Sequence, residues 1–419
     1  MASLRSLVLF VSLVVAFGLA AAHGGHLDFS PADLESEDRI TALFDAWCEE
    51  HGKRYGTEDE RLHRREVFKE KLFQIQAHNS QQHSYQLGLN QFSDQSQEEM
   101  EARLPRVDVK DLMKKWGSVK KEEASSVAAP ASIDWRRKGA VVARVKDIGS
   151  SCRGASWTYA ATGAVEGRLA IDGNRLQDLS AQQLLDCVDE ANKCTTLDPV
   201  FALDYVEENG LTTEKLYPYT GTIGQCKPLP SSLVTISGVE RIYSSSDDTE
   251  LLNAVAKQPV AVIVDGTTPQ FINYRSGIYT GPFADAVTTT SLLVVGYDTL
   301  NGVPYWIAKN SWGYGWGEGG YIRIKRQGGE PYGILNINAF PSYPTGAAPG
   351  SKPPPCGGSQ SCPSGMTCCC IEPAIGSKCL QYMCCPSKYS DCQGGCCKQK
   401  KSFSVDEMVF TTKNQTSSY

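Results

Sequence analysis

The last four fifths of the chain contain no histidine. The sequence has 419 residues, and none of its six histidines follows residue 83. They are His23, His26, His51, His63, His78 and His83. Histidine is the only side chain whose unperturbed pKa lets it exchange a proton near neutral pH. A domain built from the later part of the chain therefore has no imidazole with which to activate a nucleophile.

The chain also lacks a strong net charge and a second long apolar run. Its formal charge of −6 is too small to argue for nucleic acid as a partner, and no basic stripe outlines a phosphate backbone. No stretch beyond the N-terminal one is long and apolar enough to span a bilayer. We therefore expect no nucleic-acid partner, and no membrane attachment once the N-terminal run has been removed.

The N-terminal run has the pattern of a secretory signal peptide. Arg5 precedes an apolar stretch that ends in Ala20-Ala21-Ala22, which is typical of a cleavage site near Ala22. A membrane anchor is the alternative, and it is less favoured because the run is short and small residues end it. Residues 1–22 are predicted to direct the chain into the secretory pathway, to an extracellular, vacuolar or lysosomal location.

The sixteen cysteines are unevenly spread along the chain. In a secreted protein they predict disulfides, and their spacing lacks the cysteine pairs with nearby histidines that zinc sites show. Eleven of them fall between Cys356 and Cys397, which predicts a small module at 356–397 held by bridges instead of a core. Because eleven is odd, at least one is free or pairs outside the module. No metal and no cofactor are expected.

Residues 23–129 are predicted to form helices followed by a linker. Apolar residues recur at helical spacing over 36–56 and over Glu58–Asn79. Two amphipathic helices in a charged segment fit an independent domain, a coiled coil or a removable pro-segment. The lysine-, serine- and alanine-rich stretch at 106–128 suits an exposed, cleavable linker.

Residues 130–344 carry the large core. Helical patterns occupy 156–172 and 179–187, and Ser180 is the predicted N-cap of the second helix. Four short β-type runs follow, separated by turns that contain Gly, Pro or Asp. These runs are 260–264, 292–297, 305–310 and 321–325. Helices followed by strands predict an α+β domain.

Two low-complexity segments flank the cysteine module. Residues 345–355 are predicted to be a Pro/Gly linker, stiffened by its final prolines. Residues 398–419 are predicted to be a flexible tail. Within that tail, Asn414 begins an N-glycan acceptor pattern.

Three long motifs carry a resemblance to a known family. They are GLNQFSD at 88–94, LSAQQLLDC at 179–187 and YWIAKNSWGYGWGEGGYIRI at 305–324. Over residues 36–344 the chain resembles papain-family cysteine proteases with their inhibitory pro-segment. The resemblance implies a two-lobed domain, one lobe helical and one an antiparallel β-barrel-like sheet, behind a helical pro-segment. The cysteine module resembles a shortened granulin-like domain of a plant branch of that family.

The resemblance implies four chemical groups at the site. A cysteine thiolate attacks the peptide carbonyl, an imidazole activates it, an amide side chain orients the ring, and a glutamine helps hold the oxyanion. At the matching positions this chain has Ser156 for the cysteine, Thr290 for the histidine and Ile148 for the glutamine. Of the four, only the orienting amide, Asn310, is kept.

The same resemblance implies that Cys152 bridges Cys194 and that Cys187 bridges Cys226. An alternative makes Cys152 a displaced nucleophile, but four cysteines in the domain make two pairs with none free. A serine–lysine pair is a further alternative, although the sequence places no lysine next to Ser156.

The chain also departs from the family pattern in the substrate cleft and in its disulfide bridges. Thr195 and Thr196 follow Cys194 where the family usually has two glycines, and their Cβ atoms would crowd an extended peptide. The family's third bridge is absent as a set, because its positions fall near Phe283 and Tyr332, both aromatic.

We therefore predict a protease homologue that does not cleave peptides and has a binding, regulatory, defence or storage role. Its expected partners are peptides, protease inhibitors or active relatives. The competing prediction is an active cysteine-type endopeptidase synthesised as a zymogen, since fold alone does not establish function. A third is a carbohydrate- or receptor-binding module centred on the cysteine-rich tail.

Overall fold

The computed structural model of the protein describes most of the chain up to residue 351 and four later strands. The described residues are 27–104, 106–108, 128–189, 194–228, 232–242, 248–282, 287–326, 332–351, 366–373, 379–386, 389–392 and 395–398. The predicted signal peptide, most of the 106–128 linker, Phe283 and Asn414 lie outside these residues. The chain divides into two compact units, residues 1–351 and 352–419.

Helices dominate the N-terminal segment, by which we mean residues 27–108. Its elements are α1 (Glu37–Glu50), α2 (Glu58–Asn79), β1 (Tyr85–Leu87), α3 (Gln97–Arg103) and β2 (Val107–Asp108). Ser36 and Thr57 cap α1 and α2 by accepting backbone N–H groups three residues on. The two predicted helices are confirmed. The first ends at Glu50 instead of residue 56, because the chain turns at Gly52, whose φ is +61°.

An aromatic cluster joins the first two helices. Phe44 and Trp47 on α1 are fully buried against Phe68 on α2, with ring centroids 5.4 and 5.2 Å apart. The indole N–H of Trp47 donates to the carbonyl of Asn90, 3.0 Å away. The cluster therefore holds the chain that follows α2 as well as the two helices.

The next residues form the helical lobe. After β3 (Ile133–Asp134) come α4 (Ser156–Ile171), α5 (Ala181–Cys187) and α6 (Pro199–Asn209). Ser180 caps α5 as predicted, accepting the N–H of Gln183 at 3.0 Å. Helix α6 was not predicted, although Asp198 caps it and proline opens it.

Helix α4 is buried on nearly all sides, and glycine permits its close packing. A Cβ at Gly163 would lie 2.5 Å from a methyl of Leu293, and one at Gly167 would lie 2.6 Å from the ring of Pro259. Such a helix forms the centre of a domain and has no solvent-facing stripe.

Strands and short helices complete the first unit. They are β4 (Ser232–Arg241), α7 (Thr249–Val255), β5 (Val260–Val264), α8 (Pro269–Ile272), β6 (Tyr274–Tyr279), β7 (Val287–Thr288), β8 (Thr290–Leu300), β9 (Val303–Lys309), β10 (Tyr321–Lys325) and β11 (Ser342–Ser351). The main sheet has the order β1-β6-β10-β9-β8-β5-β11-β4, and β3 pairs with β8. Strand β10 runs parallel to β6, and the other pairings in this sheet are antiparallel.

The predicted strands are found, and the predicted linker needs a correction. Strands β5 and β10 have the predicted bounds, whereas β8 is longer and β9 is shifted by one or two residues. The Pro/Gly linker predicted at 345–355 is wrong over 345–351, where β11 pairs with β4. Because proline and glycine are depleted from strands, the Pro- and Gly-rich composition of this segment did not predict strand β11.

The predicted α+β class is confirmed, with a helical lobe, an antiparallel sheet lobe and a helical N-terminal segment. In the second unit, β12 (Met366–Pro373) pairs with β13 (Cys379–Pro386), and β14 (Tyr389–Cys392) pairs with β15 (Gly395–Lys398). Within the described part of the chain, no helix is long and apolar enough to cross a membrane.

Two histidines lie where the N-terminal segment joins the sheet. Strand β1 pairs with β6, and the rings of His78 and His83 stack beside Tyr85 with centroids 4.0 Å apart. Burial lowers the pKa of His78, His83 lowers it further, and a hydrogen bond to the carbonyl of Tyr85 partly offsets both. The described residues that line the groove around the pair include no carboxylate.

Acidification is expected to loosen this junction. The pKa of His78 is lowered in the folded chain, so its stabilising contribution is present above about pH 6.5, the value of an unfolded histidine, and is lost as the pH falls through the lower folded-state pKa. Amide exchange of residues 85–87, corrected for intrinsic rates, should be faster at pH 5 than at pH 7.5. The double variant His78→Gln/His83→Gln should abolish the difference, and His63→Gln, at an exposed position on α2, should keep it. An unchanged pH dependence in the double variant would contradict this account.

Candidate functional site

Ser156 opens α4 at the interface between the two lobes. A short 3₁₀ turn (Arg153–Ala155) leads into it, and the residue is fully buried. Its Oγ accepts a hydrogen bond from the backbone N–H of Ser291 on β8, at 2.9 Å. The helix N-terminus favours a negative charge here, but a serine hydroxyl is far less acidic than a thiol and does not ionise without a base.

Thr290 lies at the start of β8 and has no solvent exposure. Its backbone pairs with Val264 on β5, and its methyl group fills the space beside Gly266, where an added Cβ would lie 2.6 Å away. Its Oγ1 has no hydrogen-bond partner among the described residues. The side chain therefore acts as packing, and a threonine hydroxyl does not exchange protons near neutral pH.

Asn310 follows β9 and is also buried. Its Oδ1 accepts the N–H of Ser311 at 2.8 Å, while its Nδ2 has no partner within the described part of the chain. The hydroxyls of Ser291 and Ser311 are likewise buried without partners there. The structure thus collects several uncommitted polar groups around Ser156, and none of them is a base.

Ile148 provides no hydrogen-bond donor from its side chain. It is buried, its N–H donates to the carbonyl of Ser311 at 2.9 Å, and its carbonyl accepts the hydroxyl of Tyr219 at 3.1 Å. The loop is therefore held by its backbone. A side-chain amide that could stabilise an oxyanion is not present at this position.

Both disulfides implied by the resemblance form in the structure. Cys152 joins Cys194 with the Cα atoms 5.0 Å apart, and Cys187 joins Cys226 with the Cα atoms 4.7 Å apart. Cys152 is fully buried within its bridge. As a disulfide it has no thiolate, so a displaced nucleophile at this position is not supported.

A small cavity of about 30 Å³ adjoins Ser156, and charged side chains line it. Glu166 accepts the N–H of Leu179, and burial raises the pKa of its carboxyl above the usual range. Lys309 also lines the cavity and donates to the carbonyls of Val142 at 2.6 Å and Arg144 at 2.9 Å. Burial lowers the pKa of Lys309, and Glu166 raises it.

No lysine was predicted near Ser156, yet Lys309 lines the same cavity. Its Nζ donates to two backbone carbonyls, whose dipoles favour the protonated form. A lysine that acts as a base must be neutral and must reach the hydroxyl. Lys309 immediately precedes Asn310 in the sequence, which was the available signal that it lies near the site. Only the fold shows that both residues border this cavity.

The N-terminal segment lies against the rim of the site. Gln91 donates to the carbonyl of Trp312 at 2.5 Å, and Phe92 packs edge-on against the Trp312 ring. Gln97 donates to the carbonyl of Thr267 at 2.6 Å. Strand β2 then pairs with β7, immediately before Thr289. The segment thus makes direct contacts with the sheet lobe along the interface.

Two family models match the chain. Residues 129–345 match the model "Papain family cysteine protease", and residues 44–100 match "Cathepsin propeptide inhibitor domain (I29)". Together they cover most of the helical N-terminal segment and the two-lobed domain.

Several plant proteins are similar to this chain. The P34 probable thiol protease of Glycine max is 37% identical over 339 residues, which are 77% of this chain and 88% of that relative. Cysteine proteinase RD21A of Arabidopsis thaliana is 35% identical over 375 residues, 85% of this chain and 80% of that relative. The proform crystal structure of the ragweed pollen allergen Amb a 11 cysteine protease is 29% identical and superposes with a TM-score of 0.70, covering 77% of this chain and 99% of that one.

The hydrogen bond to Ser156 should contribute measurably to stability. Ser156→Ala leaves the buried N–H of Ser291 without an acceptor, which is expected to cost about 1–3 kcal/mol in the free energy of unfolding. Ser291→Ala is the matched control, because the hydroxyl it removes has no described partner, and it should change stability by less than about 0.5 kcal/mol. Urea denaturation of both variants tests this. Equal losses would contradict the assigned bond.

Proposed function

The chain belongs to the papain family of cysteine proteases, and we propose that it is a member without peptidase activity. The observation that supports the proposal is the identity of the residue at the N-terminus of α4. Ser156 stands at the first residue of α4, and the whole domain that follows it contains no histidine. A hydroxyl in that position needs a base, and the domain has no imidazole to provide one.

The surrounding residues support the same proposal. Thr290 packs against Gly266, and Ile148 contributes only backbone hydrogen bonds. Asn310 keeps its place, but an amide that orients an imidazole has no role where no ring exists. Three groups that act together are missing. Restoring any one of them would not restore catalysis, because residues of such a unit contribute jointly.

The competing function is an active cysteine-type endopeptidase made as a zymogen. The names of the relatives favour it, since several are called proteases or proteinases, and the match to a propeptide inhibitor domain is consistent with a zymogen. The two functions differ in whether peptide turnover occurs. For the inactive protein we propose a secretory or vacuolar location and a binding, regulatory, defence or storage role, with peptides, protease inhibitors or active relatives as partners.

The activity test compares the full chain before and after its N-terminal segment is cut away. A site-specific protease sequence is placed within residues 109–127, and turnover of short fluorogenic peptides is measured from pH 4 to 8 beside an active family member. No turnover above the blank is expected in either state. A thiol-reactive probe is added in parallel, and peptide turnover together with labelling of Cys152 would contradict the proposal.

Restoring the missing groups provides a positive control. Ser156→Cys alone should give no turnover, because a thiol without an imidazole lacks its partner. With the N-terminal segment cut away, and on a Thr196→Gly background that restores the glycine usual in the family, the triple variant Ser156→Cys/Thr290→His/Ile148→Gln should turn over peptide at least about 100-fold above the single variant on the same background. Equal activity of the single and triple variants would show that these positions do not determine catalysis.

A chain without peptidase activity cannot remove its own N-terminal segment. Expressed in a host free of other proteases, it should keep residues 106–129 intact over days at pH 4 to 7, as judged by intact mass. A trace of an active relative added to the same sample should cut within this stretch. Spontaneous cleavage in the sample without added protease would count against the proposal.

A further inference from the structure

A buried side-chain hydrogen bond crosses from the helical lobe to the sheet lobe. The hydroxyl of Thr196 donates to the carbonyl of Thr289, with 2.7 Å between the oxygens. Thr196 lies in the loop between Cys194 and the start of α6, and Thr289 lies between β7 and β8. Both residues are buried, Thr196 at 3% exposure and Thr289 at 0%. The bond therefore links the two walls of the cleft in a region that excludes water.

The donor side of this bond is held rigidly. Cys194 forms a disulfide with Cys152, which lies three residues before the end of the 3₁₀ turn that leads into α4. The φ of Cys194 is +51°. The loop lies directly on Gly154, where an added Cβ would be 2.2 Å from the carbonyl oxygen of Cys194 and 2.7 Å from the nitrogen of Thr196. Because covalent and packing constraints fix the loop, little entropy is lost when the Thr196 hydroxyl forms its bond.

The acceptor side is held equally well by the sheet lobe. The N–H of Thr289 donates to the carbonyl of Val264 at 2.8 Å, and its hydroxyl accepts the N–H of Gly266 at 2.8 Å. Deeper in the interface, the N–H of Ser291 donates to Ser156, again from the sheet lobe to the helical lobe. Two hydrogen bonds thus join rigid parts of the two lobes across the cleft floor.

We infer that Thr196 locks the lobes together and excludes polypeptide from the inner cleft, so that loss of the N-terminal segment alone does not open it. An extended peptide binds such a wall through backbone hydrogen bonds, and here a side-chain hydroxyl occupies the acceptor on Thr289. The β-branched side chain also fills space that a residue without a Cβ would leave free. This inference rests on the proposed function, because a domain without catalytic groups does not require a cleft that is open to substrate. Partners of this chain then bind outside the inner cleft.

The test uses a thiol at the cleft floor as a reporter of opening. Ser156→Cys is combined with Thr196→Val, which replaces the hydroxyl with a methyl group, or with Thr196→Ser, which keeps the hydroxyl. Each chain reacts with a small methanethiosulfonate reagent, and mass spectrometry of the peptide that contains position 156 gives the labelling rate. The measurement is made with the N-terminal segment in place, and again after the segment has been cut within residues 109–127 and washed away.

After removal of the segment, the reporter alone and the Thr196→Ser form should label slowly. The Thr196→Val form should label at least about tenfold faster, because opening no longer breaks a buried hydrogen bond. Equal rates in the valine and serine forms would overturn the lock. So would rapid labelling of the reporter alone, since the N-terminal segment would then be the only cover.

A second measurement serves if the cut chain loses its fold. In the intact chain, the amides of residues 289–291 should exchange about tenfold faster in Thr196→Val than in Thr196→Ser. Equal exchange rates would overturn the lock. Neither experiment depends on turnover, so peptide cleavage by the wild-type chain would overturn the proposed function without deciding between the labelling outcomes.

Discussion

The packing of α4 through the centre of the domain is the constraint on which the rest of the structure depends. The helix lies against the sheet so closely that Gly163 and Gly167 admit no side chain. Its N-terminus is fixed at the lobe interface by this packing and by the Cys152–Cys194 bridge nearby. The position of Ser156 therefore follows from the core. Because interiors are close-packed, such a framework persists whether or not the residue at the helix start is reactive.

Buried charge at the interface has a structural explanation that is independent of catalysis. Glu166 on α4, Lys309 on β9 and Lys146 line one small cavity, and Lys146 pairs with Asp178 at 2.5 Å. Each buried group has hydrogen-bond or ionic partners that offset the cost of its desolvation. Lys309 on the sheet lobe donates to the carbonyls of Val142 and Arg144, so the cluster joins that lobe to the chain that precedes α4. The charges near Ser156 are thus not a sign of an active nucleophile.

The interface is covered at two levels, which differ in kind. The N-terminal segment covers it from outside through Gln91, Phe92 and strand β2, and these contacts belong to a segment joined to the domain by a stretch suited to cleavage. The contacts of Thr196 and Ser156 belong to the domain itself. Removal of the segment therefore removes the first cover and leaves the second. The stacked His78 and His83 belong to the outer cover, and the lowered pKa of His78 makes that cover sensitive to pH.

Much of this protein could be predicted from its sequence, because the signals concerned are local or carried by long motifs. Helical spacing predicted α1, α2 and α4, short β-type runs between turns predicted β5 and β10, and the motifs placed Ser156, Thr290, Ile148 and Asn310 in one site. The tertiary structure alone decided where distant residues meet. It paired the Pro- and Gly-rich residues 345–351 with β4, brought Lys309 to the cavity beside Ser156, and set the Thr196 hydroxyl 2.7 Å from the Thr289 carbonyl. Such contacts depend on the relative placement of two packed lobes, and no spacing along the chain encodes that placement.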